Sequence, residues 1–221
     1  MKLCRGTLIA RLACLSLPVL GLACGGSGGG GFNVGGPTSC GQVSPCGGDI
    51  VGSWAFTTGC ITAVGIKDAQ GGGASCSGES IGVTDIVVTG AGSFNADMTY
   101  TLSNLTKQGT YKLSVPQSCL GGGSCGQLAP ALQATGVFES ATCSGTSSCN
   151  CTAVQTPVTA SETGTYTLSG STLVTTSDTG VTSSIAYCVR GSNLHVIATS
   201  TMSMGAMGMA AIDEDTIGTK Q

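Results

Sequence analysis

From residue 50 onward the chain alternates apolar and polar positions with a period of two. In Ile50-Val-Gly-Ser-Trp-Ala-Phe the residues Ile50, Gly52, Trp54 and Phe56 fall on one face, which predicts a first strand over residues 50–59. The run CITAVGI either continues that strand or forms a second. A glycine-rich stretch follows, and then IGVTDIVVTG over 81–90 and the segments FNADMTYTLSNL and GTYKLSVP repeat the alternation. Asn95-Ala96-Asp97 is a turn signal, after which Tyr100 and Leu102 start a new apolar face. Over about 117–151 the pattern breaks. SCGQLAPALQA reads as a short helix, with Ser124 and Gln127 spaced as a capping box and Pro130 limiting it to one or two turns. A repeat comes next: Tyr166-Thr-Leu-Ser-Gly-Ser-Thr-Leu173 returns 21 residues later as Tyr187-Cys-Val-Arg-Gly-Ser-Asn-Leu194. Strand, Gly-Ser turn and strand therefore occur twice, as in a meander of hairpins. Eight to ten short strands without βαβ spacing predict an all-β fold, either a closed antiparallel up-and-down barrel or a β-sandwich.

The first thirty residues change the setting. Lys2, Arg5 and Arg11 precede an apolar run over residues 12–23, which has the length of a signal-peptide core and is too short to span a bilayer. Residues 1–23 are read as a signal peptide, 24–45 as a Gly/Ser-rich tether and 46–221 as the barrel domain with an inserted segment at about 117–151. A flexible tether of about 15 residues spans roughly 20 Å.

Composition then bears on what holds such a domain together. Aromatics are 4% and charged residues 9% of the chain, so large core side chains are few and cross-links matter more. After Cys4, Cys14 and Cys24, ten cysteines remain, an even set in a chain read as exported. Three pairs share the spacing C-x5-C across turn-prone residues, which suggests Cys40–Cys46, Cys119–Cys125 and Cys143–Cys149. Cys60–Cys76 and Cys151–Cys188 complete the expectation. Cys149 and Cys151 are too close to bond each other and point the same way in an extended segment. Residues 24–221 carry five basic and eleven acidic side chains, net −6, and no basic patch, which argues against a nucleic-acid partner.

Two motifs carry a resemblance. Gly21-Leu22-Ala23-Cys24 resembles the lipobox of bacterial lipoproteins, which implies a diacylglycerol on Cys24 and anchoring in the bacterial cell envelope, by expectation at the outer membrane. Gly52-Ser-Trp54 resembles the G-x-W signature of lipocalins, and Phe94-Asn-Ala-Asp97 with Thr99-Tyr100 and the two Y-x-x-x-G-S-x-L hairpins is similar to elements of bacterial lipocalin-like lipoproteins. Met98 departs from that pattern, standing where glycine is expected. The resemblance implies an up-and-down barrel with a cavity for a small apolar ligand; a non-catalytic interaction or structural module without a ligand is the alternative.

Catalytic and metal chemistry is thinly supported. Gly78-Glu-Ser80-Ile-Gly82 matches G-x-S-x-G, and Asp178 and His195 follow in triad order, but the strand–elbow–helix setting is missing. The chain is read as a non-enzyme without a cofactor. His195, the one histidine, reads as a strand residue on the face opposite Leu194 and Val196. Met202, Met204, Met207 and Met209 are soft thioether ligands suited to Cu(I), or else pliable packing residues.

Overall fold

A computed structural model describes residues 14–15, 43–67, 80–120, 122–203 and 209–221. The strands are β1 (Cys14–Leu15), β2 (Gly52–Lys67), β3 (Ser80–Phe94), β4 (Thr99–Pro116), β5 (Phe138–Ser144), β6 (Ser148–Gln155), β7 (Val158–Ser169), β8 (Thr172–Ser177), β9 (Thr182–Arg190), β10 (Asn193–Ser203) and β11 (Met209–Lys220), with one α-helix, α1 (Cys125–Ala134). Eight of them close an antiparallel up-and-down barrel in the order β2-β3-β4-β7-β8-β9-β10-β11, with β11 pairing back onto β2. The all-β, closed antiparallel barrel that the periodicity allows and the lipocalin resemblance implies is therefore present, and the sandwich is not. β1 lies parallel beside Thr201–Met202 of β10.

Strand β4 explains the insertion. Its first half, Thr99 to Lys107, pairs with β7, while its second half, Thr110 to Pro116, pairs with β6. The β5–β6 hairpin and α1 thus form an annex beside the barrel wall. Helix α1 covers the annex with Cys125, Leu128 and Leu132. The Gln127 side chain accepts the Ser124 backbone N–H at 3.0 Å, as the capping-box spacing anticipates. The helix runs on through Pro130 for ten residues, longer than its proline suggests. Burial of the Leu128 and Leu132 face offsets the hydrogen bond that proline cannot donate.

One end of the barrel is closed by aromatics on the inward faces of their strands. Trp54, Tyr100, Tyr166 and Tyr187 have at most 1% exposure. Phe94 packs edge-on to Tyr166 at 5.3 Å and stacks beside Tyr100 at 6.2 Å. Each polar tip is satisfied where water is absent: Trp54 Nε1 donates to Ile50 O (2.9 Å), Tyr166 to Asn95 O (2.9 Å) and Tyr187 to Gly48 O (3.1 Å). The repeated Tyr166 and Tyr187 thus do one job twice, each anchoring the far end of a hairpin whose Gly-Ser turn starts with a left-handed glycine, Gly170 or Gly191. Lys220 Nζ lies 5.5 Å from the Trp54 ring centroid.

The disulfides depart from the sequence expectation. The bonds described include Cys46–Cys188, Cys125–Cys149 and Cys143–Cys151. Four expected pairs, Cys40–Cys46, Cys119–Cys125, Cys143–Cys149 and Cys151–Cys188, are thereby excluded. Cys143 and Cys151 sit directly opposite each other in the β5–β6 register, with Cα atoms 4.1 Å apart, so strand pairing decided the bond and loop closure did not. Cys149, two residues earlier on the same buried face, meets α1 at Cys125. Cys46 reaches Cys188 because Gly47 bridges to that residue. Cys60 and Cys119 are disulfide-bonded as well. Cys40 and Cys76 lie outside the described residues, as do Cys24 and most of 1–45.

Candidate functional site: the barrel lumen

The interior divides into a filled side and an open side. On the filled side β2 and β3 stop pairing beyond Phe56 and Gly90, and side chains close the gap. Ile86 and Val88 of β3 press against Gly59 of β2, where a Cβ would come within 2.6 Å of Ile86 Cγ2. Only glycine fits there. Across this side Lys107 of β4 reaches Glu214 of β11 in a buried ion pair, both nearly without exposure. Tyr111 lies next to them, its phenol 3.3 Å from Gln155 Oε1 and its ring edge-on to Phe138. Burial pushes the Tyr111 phenol well above its usual pKa, and the negative charge of Glu214 adds to the rise.

The open side faces β7 to β11. Inward positions are set by register: Val158 and Ala160 of β7 stand opposite Lys107 and Leu105, Glu162 opposite Leu102, Val196 opposite Tyr187 and Thr216, and Ala198 opposite Glu214. Val158, Ala160, Glu162, Ser183, Val196, Ala198 and Thr216 are all partly exposed despite facing inward. The wall is also low here, because β8 ends at Ser177 and β9 pairs with β10 only from Ala186 to Arg190. Residues 158–162 of β7 and Ala198 of β10 therefore lie beyond the stretches that pair with β8 and β9.

At the base of this open side stands a polar corner. The Tyr100 phenol donates to Glu162 Oε1. Gly164, opposite Tyr100, leaves room for the ring, since a Cβ there would lie 2.9 Å from Tyr100 Cε1. Burial, and then the hydrogen bond to and charge of Glu162, push the Tyr100 pKa up. Thr175 of β8 has no exposure, and its hydroxyl lies against the Tyr100 phenol, short of full hydrogen-bond geometry but close enough to lower that pKa against the rise.

The residues singled out from sequence fare unevenly. Gly52 and Trp54 sit at the closed end, where Trp54 is fully buried. Leu194 faces in and Val196 lines the lumen, while His195 faces out, as its alternation predicts. What alternation missed is its acid: His195 Nδ1 is 2.7 Å from Asp215 Oδ2, and Asp215 is fully buried with its other oxygen unpartnered. Desolvation raises the Asp215 pKa, and the histidine opposes that rise. The β10–β11 hairpin creates this pair across twenty residues. The G-x-S-x-G triad does not assemble: Ser80 stands opposite Ser114 on β3 and β4, Asp178 accepts from Thr163, and His195 is held by Asp215. Gly78 lies outside the described residues. Met202 and Met209 belong to the paired ends of β10 and β11, offset by one register position; their side chains, and Met204 and Met207, lie outside the described residues. Among the described residues no three His, Cys, Asp or Glu side chains gather as a metal site, and no helix is long and apolar enough to cross a membrane.

No protein-family model matches the chain, and no curated protein or solved structure does either. What the geometry defines is a disulfide-linked antiparallel β-barrel in which several inward positions of β7, β10 and β11 are partly exposed.

Proposed function

We propose that this protein is a lipid-anchored envelope protein that binds a small, largely apolar molecule inside the barrel, in the manner of the lipocalin-like lipoproteins it resembles. The observation that carries the binding reading is the open side of the lumen. Inward positions 158, 160, 183, 196, 198 and 216 stay accessible in a fold whose other inward positions are packed. Ligand sites are largely pre-formed and lined mostly by apolar side chains, as these positions are. Envelope location is supported by the lipobox at Cys24 and by disulfides, which persist in oxidising compartments.

A solvatochromic apolar dye titrated into purified protein tests the lumen. Saturable binding is expected, and Ala160→Phe together with Ala198→Phe should weaken it about tenfold or more by filling the space, while Thr163→Phe on the outer face leaves it unchanged. Saturation insensitive to the lumen pair, or no saturation at all, would sink the reading. The anchor is tested by membrane fractionation: Cys24→Ala should move the exported protein to the soluble fraction.

A further inference from the structure

The two ends of the barrel differ in what they show to solvent. Four large apolar side chains among the described residues are exposed, and three of them, Val51, Met98 and Leu168, lie at the closed end. Val51 directly precedes β2, Met98 sits in the turn between β3 and β4, and Leu168 stands beside the turn between β7 and β8. β2, β3, β4 and β7 are neighbours in the wall, so the three belong to one arc of the rim. Turn tips favour polar residues, and a left-handed backbone favours glycine or asparagine. Met98, at φ +64°, stands at its tip against both preferences.

Charge and chain path mark the same end. Its charged side chains are Asp49, Asp97, Arg190 and Lys220, which cancel, whereas residues 24–221 carry net −6. Most of the described acidic side chains therefore lie away from it, and an anionic lipid surface repels this end least. The chain also enters here. Cys46 is bonded to Cys188, two residues before β9 ends at Arg190, and a Cβ on Gly47 would meet the Gly170 carbonyl. A Gly/Ser-rich chain the length of residues 25–42 spans roughly 20–25 Å. A domain tethered that closely has an effective concentration on the order of mM, so a patch of weak intrinsic affinity is enough to orient it.

We propose that the closed end docks on the phospholipid surface that carries the Cys24 anchor. Val51, Met98 and Leu168 enter the headgroup region, and the β8–β9 turn at the opposite end points away from the bilayer. This rests on the anchoring reading and adds an orientation to it: acyl chains supply the affinity, and the three side chains decide which end faces the lipid.

The exported protein, purified in detergent and reconstituted into phosphatidylcholine vesicles with brominated acyl chains, tests this by tryptophan quenching. Trp54, the one tryptophan of the chain, is fully buried and sets the baseline. Met98→Trp and Leu168→Trp should each lose most of the emission they add, while Thr179→Trp, in the exposed β8–β9 turn, should lose none. Leu168→Asp placed in the Met98→Trp chain should cut that quenching several-fold without releasing the protein from floated vesicles. Leu168→Trp keeps the test open if Met98→Trp fails to fold by circular dichroism. Floated vesicles that carry the protein but quench neither position, quench Thr179→Trp equally, or ignore Leu168→Asp overturn the docking and leave the anchor standing. Wild-type protein left behind by floating vesicles overturns both.

Discussion

Lys107 shows how little an isolated residue reveals. It sits in NLTKQGT, polar company along the chain, in a strand whose other inward positions include Tyr100, Leu102, Leu105 and Tyr111, and it is 4% exposed. Alternation through Leu105, Lys107 and Gly109 places it inside, but only Glu214, 107 residues away, makes that tolerable. Breaking a buried pair leaves one charge in low dielectric, so Lys107→Met should cost about 3–5 kcal/mol in urea unfolding. Adding Glu214→Leu should recover most of that loss. A double variant no more stable than the single one would mean that Glu214 is satisfied without the lysine. Met98 is the opposite case: it adopts φ +64° in the Asn95–Thr99 turn, the left-handed geometry for which the sequence pattern calls for glycine, and the turn forms nonetheless through Asp97 accepting from Thr99.

Among the elements, hairpins were legible and cross-links were not. The Gly-Ser turns at 170 and 191 specify their hairpins locally, because a two-residue loop with a left-handed first residue needs nothing distant. Disulfides answer to register between strands and to helix docking, which the C-x5-C spacing does not encode. The two kinds of bond should differ in worth. Cys46–Cys188 spans 142 residues and ties the segment before β2 to β9, whereas Cys143–Cys151 spans eight within one hairpin. Chain-entropy reasoning gives about 5 and about 2.5 kcal/mol respectively. Paired Cys→Ser variants should therefore lower the thermal midpoint more for the first bond, and the reverse order would indicate that the 43–50 segment is held by its other contacts, such as the Ile50 and Tyr187 interactions.

For the whole molecule, all four tyrosines of the chain are buried, and burial is the leading cause of a raised pKa at each. The sign follows from linkage. The unfolded chain releases its phenolic protons near pH 10 while the folded barrel retains them, so stability is complete below about pH 10 and falls as pH rises beyond it. Phenolate absorbance should stay low and then appear together with loss of the β-sheet circular dichroism signal. A gradual phenolate signal near pH 10 with an intact barrel would contradict the aromatic closure of the base.

By itself the sequence determined the class of fold, the faces of its strands, the repeated hairpins and the inserted segment, because these rest on local periodicity and turn chemistry. Tertiary structure alone decided which cysteines bond, which acid meets His195, that Lys107 and Glu214 close one side of the interior, and that Tyr100 of β4 meets Glu162 of β7. Those pairings join strands far apart in the chain. Barrel closure and the register of each strand set them, and neither is written in the spacing of any single segment.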